Sequence, residues 1–454
     1  MKLLFTLAAF ALALGLLIVF HELGHYWVAR LCGVKILRFS VGFGKPLWKR
    51  RFVKDGTEWV LAAFPFGGYV KMVDESEGQV PPKDIPRAFN RQPVYRRFAI
   101  VLAGPLANFL LAVLLYWVLF IHGVPGIKPI IGRVPTATPA AAAGFKEEET
   151  IVNINGETMT TWQDVRWMLL QQAMQKSVAN VEVRNPRGEI AWHKLDLSGM
   201  TVSDLDGDFM KVIGLSRYQP QVEPVIGQLV AEGPGEQGGL KPDDEILAIN
   251  GEKVVTWDDL VRIVRSHPSQ VLKFQVKRGK QRLGITLTPE TVMDNGEKIG
   301  RIGAAPKIDL AAIQRLLAVE RYPIGDAFSK SLKKTWETSV FSLRMLGKML
   351  VGEISWKNVS GPITIADYAG QSAQIGWEAY LNFLALISIS LGVLNLLPVP
   401  LLDGGHLMYY VVEIIKGKPI SEKALQIGQH VGIALLFILM AFAIYNDINR
   451  LITG

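Results

Sequence analysis

Four long apolar runs divide the chain, and their positions predict its architecture. The first extends from Leu3 to about residue 28, and the others cover residues 98–121, 380–402 and 427–445. Each is long enough for a membrane-spanning helix, which needs about 20 apolar residues. A cleaved signal peptide is the alternative for the first run, because "ALALG" offers small residues, but the run continues through "LLIVF". We therefore expect a polytopic α-helical membrane protein with four transmembrane helices.

The charges between these runs predict how the chain is oriented. Residues 30–97 contain 14 Lys and Arg but only 6 Asp and Glu, and residues 412–426 contain three lysines. Loops rich in Lys and Arg stay on the cytoplasmic side of a membrane. We therefore expect loop 32–97 and link 412–426 to be cytoplasmic, with both termini and the stretch 123–379 outside.

Composition narrows the class of protein. The chain has 454 residues, is 49% hydrophobic and has a mean hydropathy of +0.24, which is too apolar for an ordinary soluble protein. Its net charge of +8 is explained by the topology signal and by contact with lipid headgroups, and no nucleic-acid-binding pattern accompanies it. The single cysteine, Cys32, excludes an intramolecular disulfide.

The long outer stretch contains an internal repeat at a fixed offset of 95 residues. "AGFKEEETIVNINGETMTTWQDV" aligns without a gap with "GGLKPDDEILAINGEKVVTWDDL". Each copy predicts strands around an Asn-Gly turn followed by a helix, and both resemble the PDZ domain. PDZ domains bind extended peptides at a sheet edge, whereas the alternative role is a simple spacer. In the first copy "FKEEET" replaces the commoner turn, so the second copy is the closer match to the PDZ domain.

An amphipathic helix is predicted after the repeats, from about residue 322 to residue 352. Phe328, Leu332, Trp336, Ser339, Leu343 and Leu346 share one helical face, and basic residues occupy the rest. This pattern suits a helix on the outer membrane surface, and it suits a soluble helix packed on the repeats equally well.

The end of the first apolar run carries the most specific chemical motif, "HELGH". His21 and His25 are four residues apart, so on a helix both imidazoles point to one side and can bind one zinc ion. Glu22 lies on the neighbouring part of that face, where it can hold a water molecule beside the metal and take its proton. Ionisable groups at membrane depth are costly and usually functional.

A catalytic zinc ion needs a third protein ligand, and "NLLPVPLLDGGH" offers the best candidate. Asp403 adjoins the third apolar run on the same side of the membrane, and His406 is an alternative ligand. Pro398 and Pro400 are expected to break the helix there, which often marks a site at membrane depth. Asn395 offers an amide donor for a developing oxyanion.

Together these motifs resemble the site-2 protease family of intramembrane zinc metalloproteases. The supporting stretches are "HELGH", "FSVGFGKPLW", "FPFGGYVKM", "AGPLANF", "SGPITIA" and "NLLPVPLLDGGH". The resemblance implies one Zn²⁺ per chain bound by His21, His25 and Asp403, with Glu22 as the general base. It implies a bacterial inner-membrane location and single-span membrane substrates of the anti-sigma factor type that are first trimmed outside. Signal-peptide remnants are a second substrate class, and we expect a monomer.

The family's membrane-reentrant β-loop corresponds to part of the basic loop. "EWVLAAFPFGGYVKM" alternates apolar and small residues, which predicts strands that dip into the membrane. A helical substrate must be unwound before cleavage, and an edge strand can hold it extended by main-chain hydrogen bonds. We expect Gly67, Gly68, Tyr69 and Val70 to contact the substrate.

The chain is expected to divide into nine segments over residues 1–446. The predicted segments are 1–31 (first transmembrane helix with HExxH), 32–97 (cytoplasmic-side membrane-associated β region), 98–122 (second transmembrane helix), 123–220 and 221–308 (tandem extracytoplasmic PDZ-like domains 1 and 2), 309–379 (extracytoplasmic amphipathic helical region), 380–411 (third transmembrane helix with the LDG motif), 412–426 (cytoplasmic link) and 427–446 (fourth transmembrane helix). The leading hypothesis is zinc-dependent proteolysis within the membrane, with the PDZ-like pair filtering out bulky outer domains. The alternatives are a PDZ-bearing scaffold with a structural or inactive zinc site and, third, a zinc transporter.

Overall fold

A computed structural model describes residues 2–51, 56–201, 204, 208–294, 297–307, 314–353, 361–418 and 420–453. Its α-helices are α1 Lys2–Leu31, α2 Val94–His122, α3 Pro139–Ala143, α4 Trp162–Met174, α5 Phe209–Ile213, α6 Pro234–Gln237, α7 Trp257–Arg265, α8 Ile324–Leu350, α9 Pro362–Ile375, α10 Trp377–Leu396, α11 Asp403–Lys416 and α12 Glu422–Thr453. Its strands are β1 Ile36–Arg51, β2 Glu58–Met72, β3 Val124–Ile127, β4 Thr150–Ile154, β5 Glu157–Thr158, β6 Val178–Arg184, β7 Ile190–Asp196, β8 Ile226–Leu229, β9 Glu245–Ile249, β10 Glu252–Lys253, β11 Leu272–Arg278, β12 Gln281–Leu287, β13 Glu290–Asp294, β14 Glu297–Arg301, β15 Ala304–Pro306 and β16 Leu317–Glu320.

The chain folds as two compact units. The helical unit comprises Met1–Pro125, Gly199–Phe209 and Val319–Gly454, and the repeat unit comprises Gly126–Ser198 and Met210–Ala318. Among the described residues, four helices of the helical unit are long and apolar enough to cross a membrane. These candidate spans are Leu3–Leu31, Val94–His122, Trp377–Leu396 and Lys423–Asn449.

The third span differs from its predicted extent of 380–411. Helix α10 ends at Leu396, and a separate helix, α11, begins at Asp403. The prolines expected to break the helix lie between them, and Leu401 adopts a left-handed backbone conformation with φ 84°. The backbone between the two helices forms short turns, with Val399 N donating to Leu397 O and Leu402 N donating to Val399 O.

Helix α2 is the centre of the helical unit. It packs against α1, α8, α10 and α11. Its approach to α1 is unusually close because Gly24 has no side chain. A Cβ at Gly24 would overlap Ala103 O and would lie 2.8 Å from Ala107 Cβ. Small residues allow such close packing between membrane helices, where the apolar lipid provides no hydrophobic driving force.

Strands β1 and β2 fold back on themselves and form a sheet of four segments. The order is 68–72, 36–41, 58–62 and 46–51, because residues 36–41 pair with both other segments beside them and residues 58–62 also pair with 46–51. Gly42 and Gly44, with φ 92° and 88°, supply the bend of β1. Residues 68–72 therefore form an edge of this sheet among the described strands.

The sheet is anchored to α1 at one end and exposes apolar side chains at the other. Phe39 and Trp59 stack with ring centroids 4.4 Å apart, and Tyr26 of α1 packs edge-on against both rings. The exposed apolar residues at that end include Phe43, Leu47, Trp48, Leu61 and Phe64. Such a cluster on a soluble surface would be unfavourable, and it fits a sheet that enters lipid.

The repeat unit contains two copies of the same antiparallel sheet. The strand orders are β5-β4-β6-β7 and β10-β9-β11-β12, and each copy carries one long helix, α4 or α7. The same backbone positions are left-handed in both copies, 95 residues apart; the pairs are Ala137 and Glu232, Glu148 and Asp243, and Asn155 and Asn250. The helices begin with matching capping boxes, Thr161–Asp164 and Thr256–Asp259. The duplication read from the sequence is thus a structural duplication.

Helix α8 coincides with the predicted amphipathic helix. Most of its buried residues are small or polar, among them Ser331, Thr335 and Thr338. The helix packs against α2 and α10. Phe328 and Trp336 lie on the exposed side, together with Leu332 and Leu343. An apolar outer side beside two candidate spans is what a helix at the membrane surface presents to lipid.

The second copy of the repeat contains a buried ion pair that makes a testable prediction. Asp244 is fully buried, accepts hydrogen bonds from Arg278 Nε and Nη2 at 2.7 Å each, and accepts one from Lys241 N. Burial acts to raise the pKa of Asp244, but these hydrogen bonds and the charges of Arg278 and Lys241 together hold it below the usual range. Asp244 therefore stabilises the fold above its unfolded-state pKa, about 3.9, and that stabilisation is lost as the pH falls through the folded-state pKa.

We expect Arg278→Ala to destabilise this copy by roughly 2–3 kcal/mol, because it leaves a buried carboxylate unpaired. The value lies below the usual range for buried pairs because about a third of Arg278 reaches solvent. Hydrogen exchange of β9 and β11 in the full chain would measure the loss. The destabilisation by Arg278→Ala should become smaller at low pH, where Asp244 is protonated. The exposed pair Lys307–Asp243 supplies the control, and an equal effect of Lys307→Ala would contradict the prediction.

Candidate metal centre

Helix α1 brings the two histidines of "HELGH" together, as their spacing predicts. The rings of His21 and His25 are nearly perpendicular, with centroids 4.8 Å apart, and their Nε2 atoms are 3.2 Å apart. Both side chains are largely buried, with 14% and 12% of their surface exposed. The two nitrogen lone pairs therefore converge on one point inside the helical unit.

Asp403, in the first turn of α11, completes the group. Its Oδ2 lies 3.2 Å from His21 Nε2 and its Oδ1 lies 3.6 Å from His25 Nε2. Ligands bound to zinc at about 2.0–2.2 Å in a tetrahedral arrangement are about 3.3–3.5 Å apart, so the three groups have the separations that zinc requires. They form the candidate metal site among the described residues, and two imidazoles with one carboxylate leave a fourth position open.

Helix α2 fixes the orientation of both histidines. His25 Nδ1 lies 2.8 Å from Ile100 O and donates to it, which leaves Nε2 without a proton and available to a metal. His21 Nδ1 lies 3.3 Å from the amide nitrogen of Asn108. If Nε2 of His21 binds metal, Nδ1 must carry the proton, so two donors would face each other.

The amide of Asn108 resolves this conflict when it is turned by 180°. Asn108 is 1% exposed, and its Oδ1 is buried without a hydrogen-bond partner among the described residues. The carbonyl oxygen and the NH2 group of an amide have nearly the same size, so the rotated side chain occupies the same space. After rotation Oδ1 accepts the Nδ1 proton of His21, which removes the conflict between the two donors.

Gly104 and Asn108 were not predicted as site residues, although both lie in the quoted stretch "AGPLANF". A Cβ on Gly104 would overlap Nε2 and Cε1 of His25 and would lie 2.8 Å from His21 Cε1, so only glycine leaves room for the two rings. Gly104 and Asn108 are four residues apart, the same spacing as His21 and His25. This matched spacing on two adjacent apolar helices is the sequence feature that could have indicated both residues.

Glu22 lies beside His21, His25 and Asp403. It is 8% exposed, and its carboxylate makes no hydrogen bond or ion pair with a described residue. The backbone of β2 passes beside it, since a Cβ on Gly68 would lie 2.9 Å from Glu22 Cγ and 2.8 Å from Ile18 Cγ2. The edge segment 68–72 of the sheet therefore lies beside the Glu22 side chain.

The four predicted substrate contacts have different surroundings. Gly68 is the one in contact with Glu22, as described above. Gly67 lies against the ring of Phe43, which also stacks on Tyr69 with centroids 6.1 Å apart. Val70 packs on the buried cluster around Phe39. Their shared property is their position on the edge segment or directly before it.

Two further candidates lie on the helices around the break. Asn395 is in the last turn of α10, is half-buried and makes no side-chain hydrogen bond with a described residue. His406 lies one turn after Asp403, and its ring packs edge-on against Tyr409. His406, the alternative third ligand, is outside the set of described residues that can share one metal ion.

Comparison with known proteins covers nearly the whole chain. The sequence profile of peptidase family M50 matches residues 9–439. Regulator of sigma-E protease RseP of Escherichia coli is 39% identical over 448 residues, which is 99% of each chain. Regulator of sigma E protease of Salmonella typhi is 39% identical over 451 residues, with 99% of this chain and 100% of the relative covered. A Neisseria meningitidis protein named "Putative zinc metalloprotease" is 42% identical over 448 residues, with 98% and 99% covered.

The Asn108 hydrogen bond leads to a prediction on metal affinity. We expect Asn108→Leu to weaken zinc binding about 10- to 100-fold, because His21 loses the acceptor that fixes its tautomer. Asn108→Asp keeps an acceptor and should keep zinc affinity near the wild-type value. Chelator competition on the purified protein measures both. Wild-type affinity in a folded Asn108→Leu variant would show that Asn108 does not orient His21.

Proposed function

Because this chain belongs to peptidase family M50 and is a zinc metalloendopeptidase, we propose that it cleaves single-span membrane proteins within the bilayer. The observation that carries this proposal is the convergence of His21, His25 and Asp403, three metal-ligand side chains from motifs nearly 400 residues apart. They come together on helices long and apolar enough to span a membrane, or directly beside one.

In this proposal His21 Nε2, His25 Nε2 and one oxygen of Asp403 hold the zinc ion. Ile100 O and the Asn108 amide orient the imidazoles from α2. Bound zinc supplies Lewis acidity, which activates water at neutral pH and polarises a peptide carbonyl. The donor set fits this use, since two imidazoles and one carboxylate with an open position are typical of hydrolytic zinc sites.

Glu22 is the proposed general base. It directly follows His21, it is buried beside the ligands, and its carboxylate has no described partner that would compete for a proton. It takes a proton from the attacking water and passes it to the leaving amine, because a group that serves as base in one direction can serve as acid in the next step. Asn395, whose amide is not engaged by a described residue, is the proposed donor to the developing oxyanion.

The edge segment 68–72 is the proposed site of substrate binding. A transmembrane helix hides its peptide bonds in its own hydrogen bonds, so it must unwind before water can attack. An unwound segment can recover main-chain hydrogen bonds by adding to a sheet edge. Gly68 belongs to this edge and lies beside the Glu22 side chain, so a peptide on the edge would lie within reach of the base. The exposed apolar side chains of the sheet suit the lipid environment of this step.

The relatives' names describe regulators of sigma E, and from them we infer the substrate class. We propose substrates of the anti-sigma factor type, cut after their outer domains have been trimmed, with signal-peptide remnants as a second class. The proposed location is the bacterial inner membrane, with the sheet and the metal site near the cytoplasmic side. Both termini and the repeat unit lie in the periplasm in this topology, and the protein is a monomer.

The two repeats are proposed to be PDZ-like domains that exclude substrates with bulky outer domains. Their sheets have the predicted strand-and-helix order, and the second copy has an open groove between α7 and β15, lined by Leu229, Trp257, Leu260, Ile302 and Ala304. A steric filter requires bulk and a fixed position, and it works whether or not either groove binds a peptide. The expected domain bounds of 123–220 and 221–308 remain part of this proposal.

Glu22→Gln tests the proposed chemistry. It removes the base and no ligand, so the variant should retain zinc while its cleavage rate falls by a factor of about 100 or more. Asp403→Ala should lose both zinc and cleavage. Zinc content and cleavage of a model single-span substrate in detergent would be measured together, with Glu75→Gln as the control. Near wild-type cleavage by Glu22→Gln would refute the assigned role.

Replacing the repeat unit tests the filter. Lys128 N donates to Leu316 O at 2.8 Å, so the two ends of the unit are adjacent. A short linker can replace roughly residues 129–315, which removes Gly199–Phe209 of the helical unit together with the repeat unit. Cleavage of a pre-trimmed substrate should persist, and an untrimmed substrate should now be cut as well. The filter is wrong if a folded, zinc-loaded deletion variant no longer cuts the trimmed substrate, since the repeats would then deliver it.

A further inference from the structure

A largely buried ion pair joins α2 to α11 away from the metal site. Arg97 Nη2 donates to Glu413 Oε1 at 2.6 Å, and the two side chains are only 16% and 15% exposed. Arg97 Nε also donates to Gln92 O at 3.1 Å, and its guanidinium lies over the ring of Tyr410, 5.0 Å from the centroid. The position of α11 at this end is therefore fixed by a charge, a hydrogen bond and a ring contact.

This pair is less exposed than the other arginine–carboxylate pairs described in the helical unit. Arg38–Glu58 is 44% and 25% exposed, and Arg91–Glu75 is 61% and 30% exposed. Exposed pairs contribute little, whereas removing one partner of a buried pair leaves an uncompensated charge. A buried pair also restricts how the two helices can be placed, because its donor and acceptor atoms must lie within hydrogen-bond distance.

The helices joined by this pair also carry the parts of the metal site. Helix α2 holds Ile100, Gly104 and Asn108 against the two histidines, and α11 begins with Asp403. Glu413 follows Asp403 by ten residues, which is about 15 Å along a helix, and Arg97 precedes Asn108 by a similar distance. The helices are thus in register at two points, the ion pair at one end and the metal site at the other.

The rotation of α11 is linked to the same contact. Tyr410 is seven residues after Asp403, so the two side chains lie on nearly the same face of the helix. Tyr410 is buried under the Arg97 guanidinium. A rotation that turned Asp403 away from the histidines would also take Tyr410 from under Arg97. The helix break before Asp403, with two prolines and the left-handed Leu401, leaves α10 unable to impose this rotation.

We propose that the Arg97–Glu413 ion pair positions Asp403, by fixing the axial register and rotation of α11 against α2. Both residues are positioning residues, since neither touches the reacting atoms. The inference rests on the proposed role of Asp403 as a zinc ligand. It predicts that zinc binding requires the ion pair itself, whereas the stability of the fold tolerates an apolar pair of similar volume.

An apolar replacement separates positioning from stability. Arg97→Met together with Glu413→Met removes both charges and keeps similar volume, so the fold should remain about as stable as the wild type. Zinc affinity should still fall about 10- to 100-fold, as for the loss of other groups that orient a metal ligand. At saturating zinc, kcat should fall while KM for the single-span substrate stays unchanged. Arg91→Met with Glu75→Met is the exposed control and should change neither.

The measurements are chelator competition for zinc, thermal unfolding of the zinc-free protein and cleavage kinetics. If the apolar pair restores both stability and wild-type zinc affinity, the ion pair is merely structural and the proposal is wrong. The proposal is also wrong if Glu413→Gln alone lowers zinc affinity and stability to the same degree and the Arg97→Met, Glu413→Met variant restores both. Asp403→Ala distinguishes a failure of the ligand assignment from a failure of the positioning role. Wild-type zinc affinity in that variant would overturn the ligand assignment and this inference with it, whereas loss of zinc with a normal apolar pair would overturn this inference alone.

Discussion

The close approach of α1 and α2 is the constraint on which the rest of the helical unit depends. Gly24 lets the two backbones come within the distance at which a side chain would collide with Ala103 O. Only at that distance can Ile100 O accept from His25, and only a glycine at position 104 leaves room for the rings. Since lipid gives no hydrophobic drive for helix association, small residues and these polar contacts hold the pair together.

A different structural feature positions the candidate carboxylate ligand, Asp403. Asp403 lies in the first turn of a helix that starts after a break, where free backbone N–H groups and the helix dipole favour a negative charge. The break places this terminus beside α2 instead of continuing the direction of α10. A straight third span would have placed Asp403 in the middle of a helix, without this electrostatic support. The direction of its side chain would then have been set by the continuation of α10.

The sequence predicted the parts of the site that have strong local signals. The spacing of His21 and His25 fixes a helix face, and two prolines before Asp403 predict a break. The sequence could not show that α11 begins at Asp403, because a helix start after a break depends on long-range packing. Gly104 and Asn108 carry no reactive group, so their importance became visible only when α2 was seen against α1. The alternation of β2 predicted its strand, whereas its double pairing with β1 depends on bends that alternation does not encode.

The adjacency of Lys128 N and Leu316 O has an energetic consequence for how the chain is built. A flexible insertion of nearly two hundred residues would oppose the association of α2 and α8 through the entropy of loop closure. That entropy grows with the logarithm of loop length and would be about 3 kcal/mol more than for a hairpin-sized connection. An insertion that folds with its ends together removes this penalty, since the helices then experience a link as short as a turn. Such a unit can grow, duplicate or diverge while the helices around it keep the same closure entropy.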